Sequence, residues 1–240
     1  MDRVLIIGNG YAGARAAEVL GALGGVEVLH VSDEIYPAYC RHLLPGLAAG
    51  ERSPEELFLP QGNGTPPGAF PRSGIAVSRL FPKARKALLS NGEEVPFDQA
   101  LIATGARVFV PGRLRNIFER CRNVIAMRRL EEALTLRRIL GGGSRRVAIL
   151  GAGRIGVLLA EALKRAGARI FLVDVAHEIL PTMLHGDVAA LLRPHLEAEG
   201  SLSVLAGREV TGAEIEGQAV RSLRLSGGTV VPCDAVVLAT

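Results

Sequence analysis

The chain has 240 residues, room for one large domain or two small ones. With 48% hydrophobic and 22% charged residues it has a globular composition, which excludes disorder, collagen and coiled coil. No apolar run reaches the ~18 residues of a membrane-spanning helix, and too few apolar residues follow Asp2 and Arg3 for a secretory signal core. The net charge of +4 comes from an Arg-rich, Lys-poor set, with ten Arg clustered between Arg113 and Arg146. Three Tyr and no Trp leave little for base stacking, so nucleic acid is not an expected partner and the cluster reads as a solvated face.

From the N-terminus, the continuous apolar run Val4 to Ile7 reads as a strand buried on both faces. A glycine-rich turn follows, then a helix carrying Ala16, Ala17, Val19 and Leu20, then a second strand over Val26 to Val31. That is a βαβ unit with parallel strands. Gln61 to Pro71 holds six Gly or Pro in eleven residues and reads as loop. Met127 to Leu140 reads as an amphipathic helix, and Gly141 to Ser144 breaks the chain. The pattern then restarts, with a strand over Val147 to Leu150, a helix carrying Leu158, Leu159, Ala162 and Leu163, and a strand over Arg169 to Val173.

The restart is a true internal repeat. Val4–Leu20 and Val147–Leu163, offset by 143, share 8 of 17 residues, including all three glycines. A second pair recurs at an offset of 136: Pro96, Asp98, Ala103 and Thr104 return as Pro232, Asp234, Ala239 and Thr240. The chain therefore holds two similar α/β units, each opening with one motif and closing with the other, and neither period suits a solenoid.

Gly8-Asn9-Gly10-Tyr11-Ala12-Gly13 and Gly151-Ala152-Gly153-Arg154-Ile155-Gly156 both fit G-x-G-x-x-G. The first glycine permits the tight strand-to-helix turn, the second lets backbone approach a pyrophosphate, and the third lets helix pack close to strand. The helix N-terminus offers unpaired N–H groups and partial positive charge to phosphate. An acid follows each second strand, Asp33 and Asp174, where a carboxylate takes ribose hydroxyls. Asp174 also repels a 2′-phosphate, so the second unit is expected to take NADH rather than NADPH. Two such folds imply two dinucleotides, and a flavin with a nicotinamide makes chemical sense, since hydride passes from nicotinamide to flavin.

These residues resemble the FAD-dependent pyridine nucleotide-disulfide oxidoreductase superfamily over nearly the whole chain, Ala103-Thr104-Gly105 included. The resemblance implies two Rossmann-like three-layer domains: an FAD-binding domain over 1–112 and an NAD(P)-binding domain over 113–240, inserted in the first. Within the superfamily, Ser32-Asp33-Glu34 and Tyr36-Pro37-Ala38-Tyr39-Cys40-Arg41, continued by Leu43, Leu44, Leu47, Ala49 and Gly50, are similar to the branch of ferredoxin and rubredoxin reductases and nitrite reductase large subunits. By that match Gly8, Gly10, Ala12, Gly13, Asp33, Arg41, Thr104, Gly105 and Arg128 touch FAD. Gly151, Gly153, Ile155, Gly156 and Asp174 touch NAD. The segment Val173 to Pro181 is similar to the family's strand end and I-L-P turn, and Asp187 follows where many members carry an acid.

There are departures. His42 stands where the branch often has Pro, Gly46 where ferredoxin reductases often have Lys, and Leu158 where many relatives have Glu. Gly74 to Leu89 reads as several residues short of a V-x-x-G-x-x-V turn. The chain stops at Thr240, one residue before a second A-T-G would finish, so it reads as C-terminally truncated.

Three cysteines make no disulfide framework and no metal spacing, which points to a reduced, cytoplasmic setting. Cys40 sits near where single-cysteine NADH oxidases and coenzyme A disulfide reductases place a redox cysteine, and is the one catalytic candidate. The five histidines show no ligand spacing, so no metal is expected. The function expected is an FAD-dependent NAD(P)H oxidoreductase that hands electrons to a small redox protein or iron–sulfur acceptor. The alternatives are a Cys40-dependent oxidase or disulfide reductase and a non-catalytic nucleotide-binding module. The sequence leaves the oligomeric state open.

Overall fold

A computed structural model of the chain describes residues 1–60, 71–141 and 145–240, the Arg113 side chain excepted. The loop expected at Gln61 to Pro71 lies, but for Pro71, outside the described residues; of the expected break, only Gly141 is described, as the C-cap of a helix. The chain divides into two compact units. The first comprises Met1–Cys40 and Leu57–Ala106; the second comprises Arg41–Glu56 and Arg107–Thr240. Against the expected division at 112, the second unit also takes in residues 41–56 and 107–112.

The first unit is built from β1 (Asp2–Ile7), α1 (Tyr11–Leu23), β2 (Val26–Ser32), β3 (Arg72–Ser73), β4 (Val77–Phe81), β5 (Lys86–Leu89), β6 (Glu94–Pro96) and β7 (Gln99–Ile102). Its main sheet runs β3-β2-β1-β7 with every pairing parallel. Successive side chains of β1 point to opposite faces. Leu5 and Ile7 pack with Val31 and with Ala87, Leu89 and Val95 of the antiparallel sheet β4-β5-β6, while Val4 and Ile6 pack with Ala17 of α1. This is why the strand reads as an unbroken apolar run. The shortened 74–89 stretch still closes a hairpin, because β4 and β5 are joined by one 3-10 turn that ends on left-handed Arg85 (φ 50).

The second unit adds α2 (Leu44–Ala48), α3 (Gly112–Arg120), β8 (Val124–Ala126), α4 (Leu130–Leu140), β9 (Arg146–Leu150), α5 (Arg154–Arg165), β10 (Arg169–Val173), α6 (Gly186–Glu197), β11 (Leu202–Leu205), β12 (Val210–Glu216), β13 (Ala219–Leu225), β14 (Val230–Pro232) and β15 (Ala235–Leu238). The parallel sheet runs β11-β10-β9-β15-β8. Its Ala148, Leu150, Val236 and Leu238 face Val220, Leu223 and Val231 of the antiparallel sheet β12-β13-β14. Leu44 and Leu47 are buried where α2 packs on α4 and α5, and Glu51 accepts from Arg165 at 2.9 Å, which ties 41–56 to this unit. The helix expected from Met127 starts at Leu130. The Glu132 carboxylate accepts from the backbone N–H of Arg128 (2.8 Å) and Arg129 (2.6 Å), and so caps the helix there.

The repeated aspartates do the same work in both units. Asp98 accepts from Arg3 N at 2.8 Å and its own N–H donates to Arg3 O at 2.8 Å; Asp234 does the same with Arg146, at 2.9 and 2.8 Å. Each aspartate thereby sets the register of the closing strand against the opening one. Arg146 also donates through Nη2 to Asp234 Oδ1 at 3.0 Å. That side-chain hydrogen bond, with the Arg146 N–H, holds the Asp234 carboxyl below its ordinary 3.8, even though burial opposes the shift. A lowered carboxyl contributes stability that is fully present above the ordinary value and is lost as pH falls through the lowered one. Asp234→Asn is expected to cost about 1 kcal/mol at neutral pH. Thermal melts should show the gap to wild type closing as pH falls below 3.8; an equal gap at both ends would contradict this.

Candidate functional site

Each βαβ turn is built on the same three contacts. Gly8 takes φ 105 and Gly151 φ 112, a region closed to other residues at this cost. Their N–H groups donate to Val31 O and Val173 O, both at 2.8 Å. A Cβ on Gly8 would stand 2.5 Å from Ala103 O, and one on Gly151 2.7 Å from Ala239 O. A Cβ on Gly13 would collide with Gly8 O, and one on Gly156 with Gly151 O. Ala103 and Ala239 close the same spot, their Cβ atoms 3.4 and 3.5 Å from those positions. The middle glycines differ: a Cβ on Gly10 or Gly153 would meet nothing. Both are N-caps of their helices, with no side chain capping the helix. Two of the three glycines are therefore required by the fold itself, while the third faces open space beside unpaired helix N–H groups, as a diphosphate cradle needs.

Around the first cradle, Ala12 is exposed in the first turn of α1, Thr104 and Gly105 are exposed just past β7, and Asp33 is exposed just past β2. Glu34, next to it, is buried and accepts from Tyr39 Oη at 2.6 Å, so it serves the fold. Arg41 and Arg128 belong to the second unit, where Arg41 Nη1 donates to Arg128 O at 2.7 Å.

Around the second cradle, the Asp174 carboxylate braces backbone. Oδ2 accepts from Ala152 N at 2.5 Å and Oδ1 from Ala176 N at 2.8 Å. Each oxygen keeps a further lone pair for a ribose hydroxyl. Asp174 borders a cavity of about 490 Å³ whose wall includes Gly151, Val175, Phe109, Arg208 and Glu209. That volume and its apolar lining suit an aromatic ligand with a few polar groups. Arg208 in that wall donates through Nη1 to Ser226 O at 3.2 Å. Ile155 and Leu158 are half exposed on the first turns of α5. Phe109 and Arg208 come from segments far from the glycine motif, and no short sequence pattern marks them as neighbours of Asp174.

The cysteines separate clearly. Burial, with Asp234 nearby, pushes the Cys233 thiol up to about 12, and burial also raises Cys121; neither forms a thiolate near neutral pH. Cys40 Sγ lies 2.6 Å from Tyr11 Oη at the first cradle, and that hydrogen bond, with smaller contributions from burial and from Cys40's charge, raises the Tyr11 phenol. No group of three or more His, Cys, Asp or Glu that could hold a metal occurs among the described residues. None of the described helices is long and apolar enough to cross a membrane.

Two parallel-sheet units, each with a glycine cradle at the carboxyl end of its strands, define a protein with two dinucleotide folds in one chain. The chain belongs to the pyridine nucleotide-disulphide oxidoreductase family, whose model matches residues 2–240. It is 27% identical to putidaredoxin reductase of Pseudomonas putida, covering 98% of this chain and 57% of that protein. It is 30% identical to the ferredoxin–NAD(+) reductase component of the biphenyl dioxygenase system of Paraburkholderia xenovorans, covering 99% and 57%. Among solved structures, it matches the covalent putidaredoxin reductase–putidaredoxin complex with a TM-score of 0.88 and 26% identity over 99% of this chain and 58% of that one. The chain thus spans a little over half the length of these relatives.

The glycine contacts separate folding from binding. Gly13→Ala and Gly156→Ala are expected to cost about 2–4 kcal/mol in urea denaturation, because backbone must move to admit the methyl group. Gly10→Ala is expected to stay within about 1 kcal/mol of wild type. Equal losses at positions 10 and 13 would contradict the assignment.

Proposed function

We propose that the chain works as an FAD-dependent NADH oxidoreductase of the electron-transfer kind, with FAD on the first unit, NADH on the second, and a small iron–sulfur or similar redox protein as acceptor. The observation that carries this is the doubled cradle, two glycine turns whose middle glycine faces open space. The flavin, when bound, supplies the chemistry of taking hydride from the nicotinamide and releasing electrons one at a time. The chain's own part is binding and electrostatics. Gly8, Gly10, Ala12 and Gly13 offer backbone amides and the positive end of α1 to the FAD diphosphate. Asp33 takes the ribose, and Thr104 and Gly105 border the same cofactor. Gly151, Gly153, Ile155 and Gly156 do the same for NADH, with Asp174 at the adenosine ribose, where its charge disfavours a 2′-phosphate.

No side chain is needed as acid or base in this scheme, which accords with a site made of turns rather than of a catalytic triad. The named functions of the relatives, reductases that serve ferredoxin-type proteins, favour such an acceptor. Three free thiols suit the cytoplasm. A second reading, a single-cysteine NADH oxidase or disulfide reductase, is favoured by one contact, the 2.6 Å approach of Tyr11 Oη to Cys40 Sγ.

The test is anaerobic addition of NADH to chain loaded with FAD, followed by the flavin's visible absorbance. Bleaching is expected. A chain that takes up no FAD, or whose flavin stays oxidised, would contradict the proposal and favour a non-catalytic nucleotide-binding module. Cys40→Ser is expected to leave reduction of an iron–sulfur acceptor within about twofold of wild type. Loss of peroxide or disulfide turnover in that variant would establish the second reading instead.

A further inference from the structure

The first cradle carries one polar group that its counterpart lacks. His30 lies on β2, 1% exposed, with Nε2 3.0 Å from Gly8 O. A carbonyl oxygen only accepts, so Nε2 carries the proton and donates. The next residue, Val31, accepts from Gly8 N at 2.8 Å. Two successive residues of β2 thus hold both polar groups of the glycine that makes the turn. In the second unit Val173 O takes Gly151 N at 2.8 Å in the same way. The residue before Val173, however, is Leu172, fully buried and with no polar side-chain atom.

The Gly8 carbonyl is a critical atom of the turn. It is the group on which Gly13 packs, since a Cβ at 13 would collide with it. Its direction sets the plane of the peptide that joins Gly8 to Asn9, and that plane sets the aim of the amides that follow. We infer that His30 is a positioning residue for the first dinucleotide turn: its Nε2–H fixes the Gly8 carbonyl, so the turn's amides are set for diphosphate before the ligand arrives. The second turn has no such donor; there the Asp174 carboxylate accepts from Ala152 N instead, so the two turns are held at different backbone groups. The consequence for ligand affinity rests on the proposal that the first unit takes FAD; the consequence for the loop does not.

Three proteins decide it: wild type, His30→Leu, which installs the residue type of the second cradle, and His30→Gln, whose side-chain amide places an N–H near the lost Nε2. Hydrogen exchange of amides 9–13 is measured without FAD, and FAD affinity by flavin fluorescence. His30→Leu is expected to speed exchange of the turn and weaken FAD binding, each about 5- to 10-fold, the loss of one net hydrogen bond. His30→Gln is expected to restore both to within about twofold. Should His30→Leu fail to fold, His30→Met, of similar length and without a donor, gives the same comparison. Wild-type exchange in His30→Leu, or a Gln variant as impaired as the Leu variant, would overturn the inference. A wild-type chain that binds no FAD would instead overturn the functional proposal, while the exchange data still judge His30.

Discussion

The contact on which both units depend is the seating of a helix on the carbonyl of a glycine. In each unit the third glycine of the turn packs so closely on the first that a methyl group would strike the Gly8 or Gly151 oxygen, and the alanine just past the end of a neighbouring strand closes the same spot. Helix, turn and strand end can then share space that a side chain would otherwise fill. The contact also explains a peculiarity of the sequence. The glycine motif and the Ala-Thr motif recur at different offsets, 143 and 136, yet they recur together because they touch. Ala103 meets Gly8 and Gly13, and Ala239 meets Gly151 and Gly156. The variable chain between them is taken up elsewhere.

The same close fit bears on ligand binding. The turn leaves helix N–H groups without intrahelical partners at α1 and α5, and no capping side chain covers them. A glycine at the middle position keeps that surface clear. Acids stand nearby at different depths: Asp33 is exposed, while Asp174 is tied to the Ala152 and Ala176 amides. The second turn has a carboxylate on one of its backbone amides, and the first has an imidazole on its glycine carbonyl.

What was legible in the sequence is what repeats or what is local. The strands at Val4 and Val147 could be read from unbroken apolar runs, since both faces are covered, and the helices from the glycines that precede them. What was not legible depends on partners distant in sequence. Residues 41–56 pack with α4 and α5, so Arg41 lies with Arg128 in the second unit, although the motif that contains it begins in the first. Asn123 is buried, donates through Nδ2 to Val220 O and Asp234 O and accepts from Val220 N, stitching β8 to β13 and β15 across about a hundred residues. No spacing rule reveals such a residue. His30 escaped for the opposite reason: one polar residue in a largely apolar strand reads as noise until the carbonyl it meets is known. The helix expected at Met127 started three residues late because Glu132 reaches back to cap it.

The account's central claim is that two independent backbone cradles each hold one dinucleotide. Its most direct test is a crossed titration of Gly10→Val and Gly153→Val with FAD and with NADH, with thermal melts as a folding control. Both variants should melt near wild type, since a Cβ at either position would meet nothing within 4 Å. Gly10→Val should lose FAD and keep NADH, and Gly153→Val the reverse. Variants that lose both ligands together, or neither, while remaining folded would contradict the claim.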